Sequence, residues 1–220
     1  MAAVLDQIAR YRLVPVVVAD SVVEGSFIVD ALAEGGLPVA EITFRTAAAP
    51  DAIAAIAARG DILVGAGTIV SPAQVDTAVD AGARFLVSPG FHPAVADRAA
   101  ERGVPLIPGA ISASEIMAAL AAGITTVKFF PAETSGGLPA LRALAAPFGD
   151  VRFVPTGGID ATNLDSYLAH PRVMAVGGSW MLPRDAVEAR DAAPIVRATS
   201  DAVARVAASS QAAPAGLPNG

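Results

Sequence analysis

The chain has 220 residues, 54% of them apolar and 16% charged, enough to bury the core of a single domain. A formal net charge of -6 argues against nucleic acid or an anionic membrane surface as partner, since both require clustered Lys and Arg. The absence of cysteine excludes disulfides, thiolate metal sites and a cysteine nucleophile.

In chain order, residues 1–11 read as an amphipathic helix, and Asp6 and Arg10 interrupt the apolar run that a secretion signal needs. Eight short apolar, β-branched runs follow at 13–18, 39–44, 62–64, 84–87, 105–107, 125–129, 151–154 and 173–176. Between and after them, helices are expected at 22–34, 50–59, 72–81, 94–102, 112–121, 138–145, 162–169 and 185–207. Ser71 before Pro72 and Ser112 ahead of Glu115 are start signals, while Gly35, Gly82, Gly103 and Gly123 are stop signals. Short strands alternating with single crossover helices predict a parallel sheet, and eight such units predict a closed (β/α)8 TIM barrel with an extra N-terminal helix. One barrel domain is expected over 1–208, followed by a flexible, Ala/Pro/Gly-rich tail over 209–220. No stretch is long and apolar enough to cross a bilayer, and a cytoplasmic protein is expected.

Barrel enzymes build their sites at the C-terminal ends of the strands, so polar residues there are the candidates. Lys128 is the only lysine beside 14 arginines, and it lies within a strand. Period-two alternation places Thr126, Lys128 and Phe130 on one face. Desolvation favours the neutral amine, the form that attacks a carbonyl. A structural ion pair, or an amine reaching to the rim, is the alternative reading of the same residue. In the second strand Glu41, Thr43 and Arg45 share a face: a carboxylate able to move protons, a hydroxyl, and a guanidinium suited to a substrate carboxylate. Charge balance around Lys128 is the competing reading of Glu41 and Arg45.

Glycine-rich turns follow strands seven and eight, Gly157-Gly158 after Thr156 and Gly177-Gly178 before Ser179. Such turns let backbone N–H groups approach a phosphate, and they also occur as tight turns without a ligand. Thr68 and Pro89, in the turns after strands three and four, are candidates for substrate contact or simple loop punctuation. His92 and His170 each precede a proline, and neither belongs to a set with metal-ligand spacing. Trp180 and the phenylalanines read as packing.

Taken together, Glu41-Ile42-Thr43-Phe44-Arg45-Thr46, Gly65-Ala66-Gly67-Thr68, Ser88-Pro89-Gly90, Lys128-Phe129-Phe130-Pro131-Ala132-Glu133, Pro155-Thr156-Gly157-Gly158-Ile159 and Gly177-Gly178-Ser179-Trp180 closely resemble the class I 2-keto-3-deoxy-6-phosphogluconate aldolases, the KDPG/KHG aldolase family. The resemblance spans about 14–181 and departs only at apolar positions such as Phe44, where the family often carries a smaller residue. It implies Lys128 as the Schiff-base lysine, Glu41 as acid/base and Arg45 as the contact of the pyruvate carboxylate. It further implies that Thr68, Pro89 and Phe130 line the pyruvyl pocket, that Thr156 lies beside the substrate, and that Gly157, Gly158, Gly178 and Ser179 hold the phosphate. A homotrimer with no metal or organic cofactor is implied as well. The expected partners are a small 2-keto acid and a phosphorylated aldehyde. The expected reaction is reversible cleavage of 2-keto-3-deoxy-6-phosphogluconate. Alternatives are 4-hydroxy-2-oxoglutarate cleavage at the same site, a phosphosugar isomerase or epimerase using Glu41 as base, and a barrel without activity.

Overall fold

The computed structural model describes residues 1–211. The elements are α1 (Ala2–Tyr11), β1 (Leu13–Val17), α2 (Val22–Glu34), β2 (Val39–Thr43), α3 (Ala49–Ala57), β3 (Leu63–Gly67), α4 (Pro72–Asp80), β4 (Leu86–Ser88), α5 (Pro93–Glu101), β5 (Leu106–Pro108) and α6 (Ala113–Ala121). Then come β6 (Thr126–Val127), a 3-10 turn (Glu133–Ser135), α7 (Gly137–Ala145), β7 (Arg152–Phe153), α8 (Leu164–Leu168), β8 (Val176–Gly178), α9 (Arg184–Ala189) and α10 (Ala192–Gln211). The expected N-terminal helix and strand–helix alternation are present.

Every strand pair is parallel. Six strands form one curled sheet in the order β5-β4-β3-β2-β1-β8, and β6 pairs with β7 separately. Single bridges tie this pair to the sheet edges, Gly109 to Lys128 on the β5 side, and Phe153 to Val173 and Thr156 to Gly177 on the β8 side. The strands carry Val, Ile and Leu that are fully buried, such as Leu13, Val17, Val39, Ile42 and Val64. Burying each such side chain contributes about 1.5–3 kcal/mol. Helix ends follow the local signals. Glu115 N–H donates to Ser112 Oγ at 3.3 Å while Ser112 Oγ donates to Glu115 Oε2 at 2.7 Å, a reciprocal cap for α6.

Four boundaries differ from the expectations. Gly65 to Gly67 lie inside β3, because β3 pairs with β2 through all five residues, with Thr43 opposite Gly67. Gly177 and Gly178 lie inside β8, where they face Val14 and Pro15 of β1. The helix expected over 185–207 is two helices. Arg190 adopts a left-handed conformation, with φ 53°, and Asp191 Oδ1 accepts from Ala193 N–H at 3.1 Å to start α10. The helix expected over 162–169 shortens to α8, because Asp160 and Asn163 bind the preceding turn through their own side chains. α10 continues to Gln211, and the remainder of the expected tail lies outside the described residues. Among the described residues no helix is long and apolar enough to cross a membrane.

Candidate active site

With all strands parallel, the residues at their C-terminal ends share one rim. Glu41 projects from the middle of β2 and Lys128 follows β6 directly. Lys128 Nζ stands 3.3 Å from Glu41 Oε1, and the two side chains are only 8% and 3% exposed. Removing either member of a buried pair of this kind leaves an uncompensated buried charge, at a cost of about 3–5 kcal/mol. The Lys128 backbone is pinned to the β5 side through both its N–H and its carbonyl. Its N–H donates to Pro108 O at 2.7 Å, and its carbonyl accepts from Ala110 N–H at 2.9 Å. Above it, the ring of Phe130 lies with its centroid 5.0 Å from Nζ.

The room for Glu41 comes from Gly67. A Cβ at that position would sit 2.1 Å from Glu41 Oε1 and 2.6 Å from its Cγ, so only glycine allows the carboxylate to lie across β3 toward the lysine. Thr43, on the same face, donates to Val17 O at 3.0 Å and is thereby tied to β1. An amine held against a carboxylate can pass it a proton, act as a nucleophile once neutral, and draw on the same carboxylate for later proton transfers.

Beside the pair lies a cavity of about 170 Å³, lined by Phe130, Thr156, Gly157, Gly158, Gly178 and Ser179 together with Val16 and Ile159. Six of the residues singled out from the sequence thus meet around one cavity. In its glycine turn the carbonyls are taken up by residues that do not line the cavity. Thr156 O accepts from Ala132 N–H at 2.8 Å, Gly157 O from Glu133 N–H at 3.1 Å, and Gly158 O from Asn163 Nδ2 at 3.1 Å. The N–H groups of Gly157, Gly158 and Ile159 donate to no acceptor among the described residues. Gly157 and Gly158 have φ of 99° and 76°, a left-handed backbone that glycine adopts freely, and uncommitted N–H groups beside a cavity suit an anion.

Arg45, Thr68 and Pro89 follow β2, β3 and β4 on the same rim. Arg45 is exposed in a turn and forms no hydrogen bond or ion pair among the described residues. Pro89 is exposed as well. Thr68 is half-buried with φ 58°, a conformation that costs a β-branched residue about 1–3 kcal/mol. His92 precedes α5, and His170 Nδ1 accepts from Arg172 N–H at 3.2 Å. Burial, then Arg142 and Arg172, hold the His170 imidazole below its ordinary pKa. Among the described residues no group of three His, Asp or Glu could hold a metal.

Two side chains escaped the sequence reading as parts of this region. Tyr167 of α8, 1% exposed, donates its hydroxyl to Glu133 Oε1. Asn163, one helical turn earlier, binds the glycine turn directly. Glu133 stands in a quoted motif without a role there. The only local sign for Tyr167 is that a buried tyrosine hydroxyl requires a partner.

A curled parallel α/β sheet that holds a buried amine against a carboxylate suits a class I carbon–carbon lyase. The chain belongs to the KDPG/KHG aldolase family: residues 4–198 match the family described as KDPG and KHG aldolase. It is 49% identical over 192 residues to the 2-dehydro-3-deoxy-phosphogluconate aldolase of Treponema pallidum (strain Nichols), covering 87% of this chain and 91% of that one. Among solved structures it resembles a KDPG aldolase from Legionella pneumophila with pyruvate captured at low pH as a covalent carbinolamine intermediate. That likeness has a TM-score of 0.85 and 38% identity over 90% of this chain and 95% of the other. It also resembles the 2-keto-3-deoxy-6-phosphogluconate aldolase of Zymomonas mobilis ZM4 with 3-phosphoglycerate, with a TM-score of 0.86 and 39% identity over 91% and 95% of the two chains.

Proposed function

We propose that the chain reversibly cleaves 2-keto-3-deoxy-6-phosphogluconate to pyruvate and glyceraldehyde 3-phosphate through a Schiff base on Lys128. The single observation that carries this reading is the buried Lys128–Glu41 pair, 3.3 Å apart beside an anion-suited cavity. The neutral Lys128 amine adds to the C2 carbonyl, and loss of water from the carbinolamine gives an iminium ion. Glu41 takes the proton of the C4 hydroxyl as the C3–C4 bond breaks, its electron pair flows into the iminium, and the aldehyde departs. The resulting enamine is protonated at C3, and water hydrolyses the imine to release pyruvate and the free lysine. The carbinolamine captured in the Legionella relative supports this sequence of steps.

In this reading Arg45 meets the pyruvate carboxylate, while Thr68, Pro89 and Phe130 line the pyruvyl pocket and Thr156 flanks the substrate. The unpaired N–H groups of the glycine turn, with Gly178 and Ser179, take the phosphate, which favours the phosphorylated substrate over 4-hydroxy-2-oxoglutarate. The 3-phosphoglycerate bound to the Zymomonas relative is in keeping with a phosphate-binding role. No metal or organic cofactor enters the reaction. The bridges at Gly109, Val173 and Gly177 support a closed eight-stranded barrel, one domain over 1–208. A cytoplasmic homotrimer completes the proposal.

The test is incubation with pyruvate and borohydride followed by peptide mapping. Irreversible alkylation of Lys128 is the expected result. An unmodified mass would instead favour an isomerase or epimerase in which Lys128 only polarises the substrate.

A further inference from the structure

The glycine turn has no side chains of its own to hold its shape, so its geometry must come from neighbours. Glu133 is the main one. Its N–H holds Gly157 O at 3.1 Å, and a Cβ at Gly158 would lie 2.7 Å from Glu133 Cβ, so the turn rests flat on this residue. Were the Gly157–Gly158 peptide to rotate, a carbonyl would replace an N–H at the cavity, and an anion there would meet repulsion instead of a donor. The orientation of Glu133 therefore decides whether the cavity binds an anion.

Glu133 itself lies in a three-residue 3-10 turn, too short to be rigid alone. Its carboxylate is held by the hydroxyl of Tyr167, whose ring is buried in the core. Asn163, four residues earlier on the same face of the chain leading into α8, holds Gly158 O. α8 thus grips the glycine turn twice, once directly and once through Glu133. Burial and the Glu133 carboxylate both push the Tyr167 phenol well above its ordinary pKa, in keeping with a hydroxyl that donates to that carboxylate.

We infer that Glu133 and Tyr167 form a brace that positions the Gly157–Gly158 turn for the phosphate of the substrate without touching the reacting atoms. This inference rests on the aldolase reading above, and it makes both side chains positioning residues that act on the phosphorylated end of the substrate alone. Tyr167→Phe removes the hydroxyl and keeps the ring. Glu133→Ala removes the acceptor at an exposed residue, and Glu133→Gln keeps an oxygen that accepts from Tyr167.

The experiment compares steady-state kinetics of the full chain on 2-keto-3-deoxy-6-phosphogluconate and on unphosphorylated 4-hydroxy-2-oxoglutarate, with borohydride trapping of pyruvate as a third readout. Tyr167→Phe and Glu133→Ala should each raise KM for the phosphorylated substrate about tenfold, the scale of one lost hydrogen bond to a charged group. KM for the other substrate and the trapping yield should stay within about twofold, and Glu133→Gln should recover most of the loss. A purely structural role would move both substrates alike, and that outcome, or an unchanged KM for the phosphorylated one, overturns the brace. If the wild-type chain is not trapped by pyruvate, the aldolase reading fails on its own. Calorimetric titration with inorganic phosphate then decides the brace separately: weaker binding in Tyr167→Phe sustains it, and equal binding ends it.

Discussion

The two arcs of the sheet are built to different rules. In the arc of β1, β2 and β3 each strand is five residues long, and β2 and β3 pair residue for residue along their whole length. In the arc of β6 and β7 each strand is two residues long, and single bridges connect it to its neighbours. Glu41 comes from the regular arc and Lys128 from the irregular one. The regular arc fixes a carboxylate by continuous backbone pairing. The irregular arc keeps cross-strand hydrogen bonds as far as Thr156, whose N–H donates to Phe129 O at 3.0 Å, and the N–H groups of Gly157, Gly158 and Ile159 in the turn beyond it are uncommitted. The site combines the two, a carboxylate fixed within a paired strand and backbone donors left open in the turn that follows another.

Replacements on the two sides of this contrast should separate its parts. Lys128→Met removes the proposed nucleophile from the irregular arc and should lower kcat by about three orders of magnitude or more, measured as pyruvate release. Glu41→Gln removes the proposed proton carrier from the regular arc and should lower kcat by about 10²–10⁴-fold while borohydride still traps pyruvate on Lys128. Loss of trapping would mean that the carboxylate is needed for imine formation as well. Gly67→Ala sharpens the comparison further. It keeps every functional group, yet its Cβ at 2.1 Å from Glu41 Oε1 must move the carboxylate, so kcat should fall about 10²-fold with the fold intact by circular dichroism.

The smallest effect is expected at His170, beyond the end of α8. The imidazole is held below its ordinary value of 6.5, so below that pH the unfolded chain binds the proton more readily than the folded one. Stability should therefore decline as pH falls through and below 6.5, and protonation would also break the bond from Arg172 N–H to Nδ1. His170→Asn should flatten this part of a thermal-melting pH profile. An unchanged slope would assign it to other groups.

Several features were legible in one dimension because they follow from local rules. The alternation of side chains along a strand put Glu41 beside Thr43 and Lys128 beside Thr126 on common faces, and each of these residues is buried. Serine caps and glycine stops marked the helix ends at 71 and 112 and at 35, 82, 103 and 123. Local rules failed where a partner distant in sequence decides the structure. Gly177 and Gly178 look like a turn on composition, yet they extend a strand because Val14 and Pro15 lie alongside. The Glu133–Tyr167 bond joins residues 34 positions apart and leaves no periodic trace in either segment.

By itself, then, the sequence determined the strand–helix alternation, the faces of the strands and the identity of the unusual lysine, because steric and hydrogen-bonding preferences of neighbouring residues are sufficient for each. Only the tertiary structure decided that Lys128 meets Glu41, that Gly67 leaves room for the Glu41 carboxylate, and that the carbonyls of the glycine turn are taken up by residues outside its cavity. Those outcomes depend on which backbones pair across the sheet, and they are set by contacts between residues separated by tens of positions along the chain.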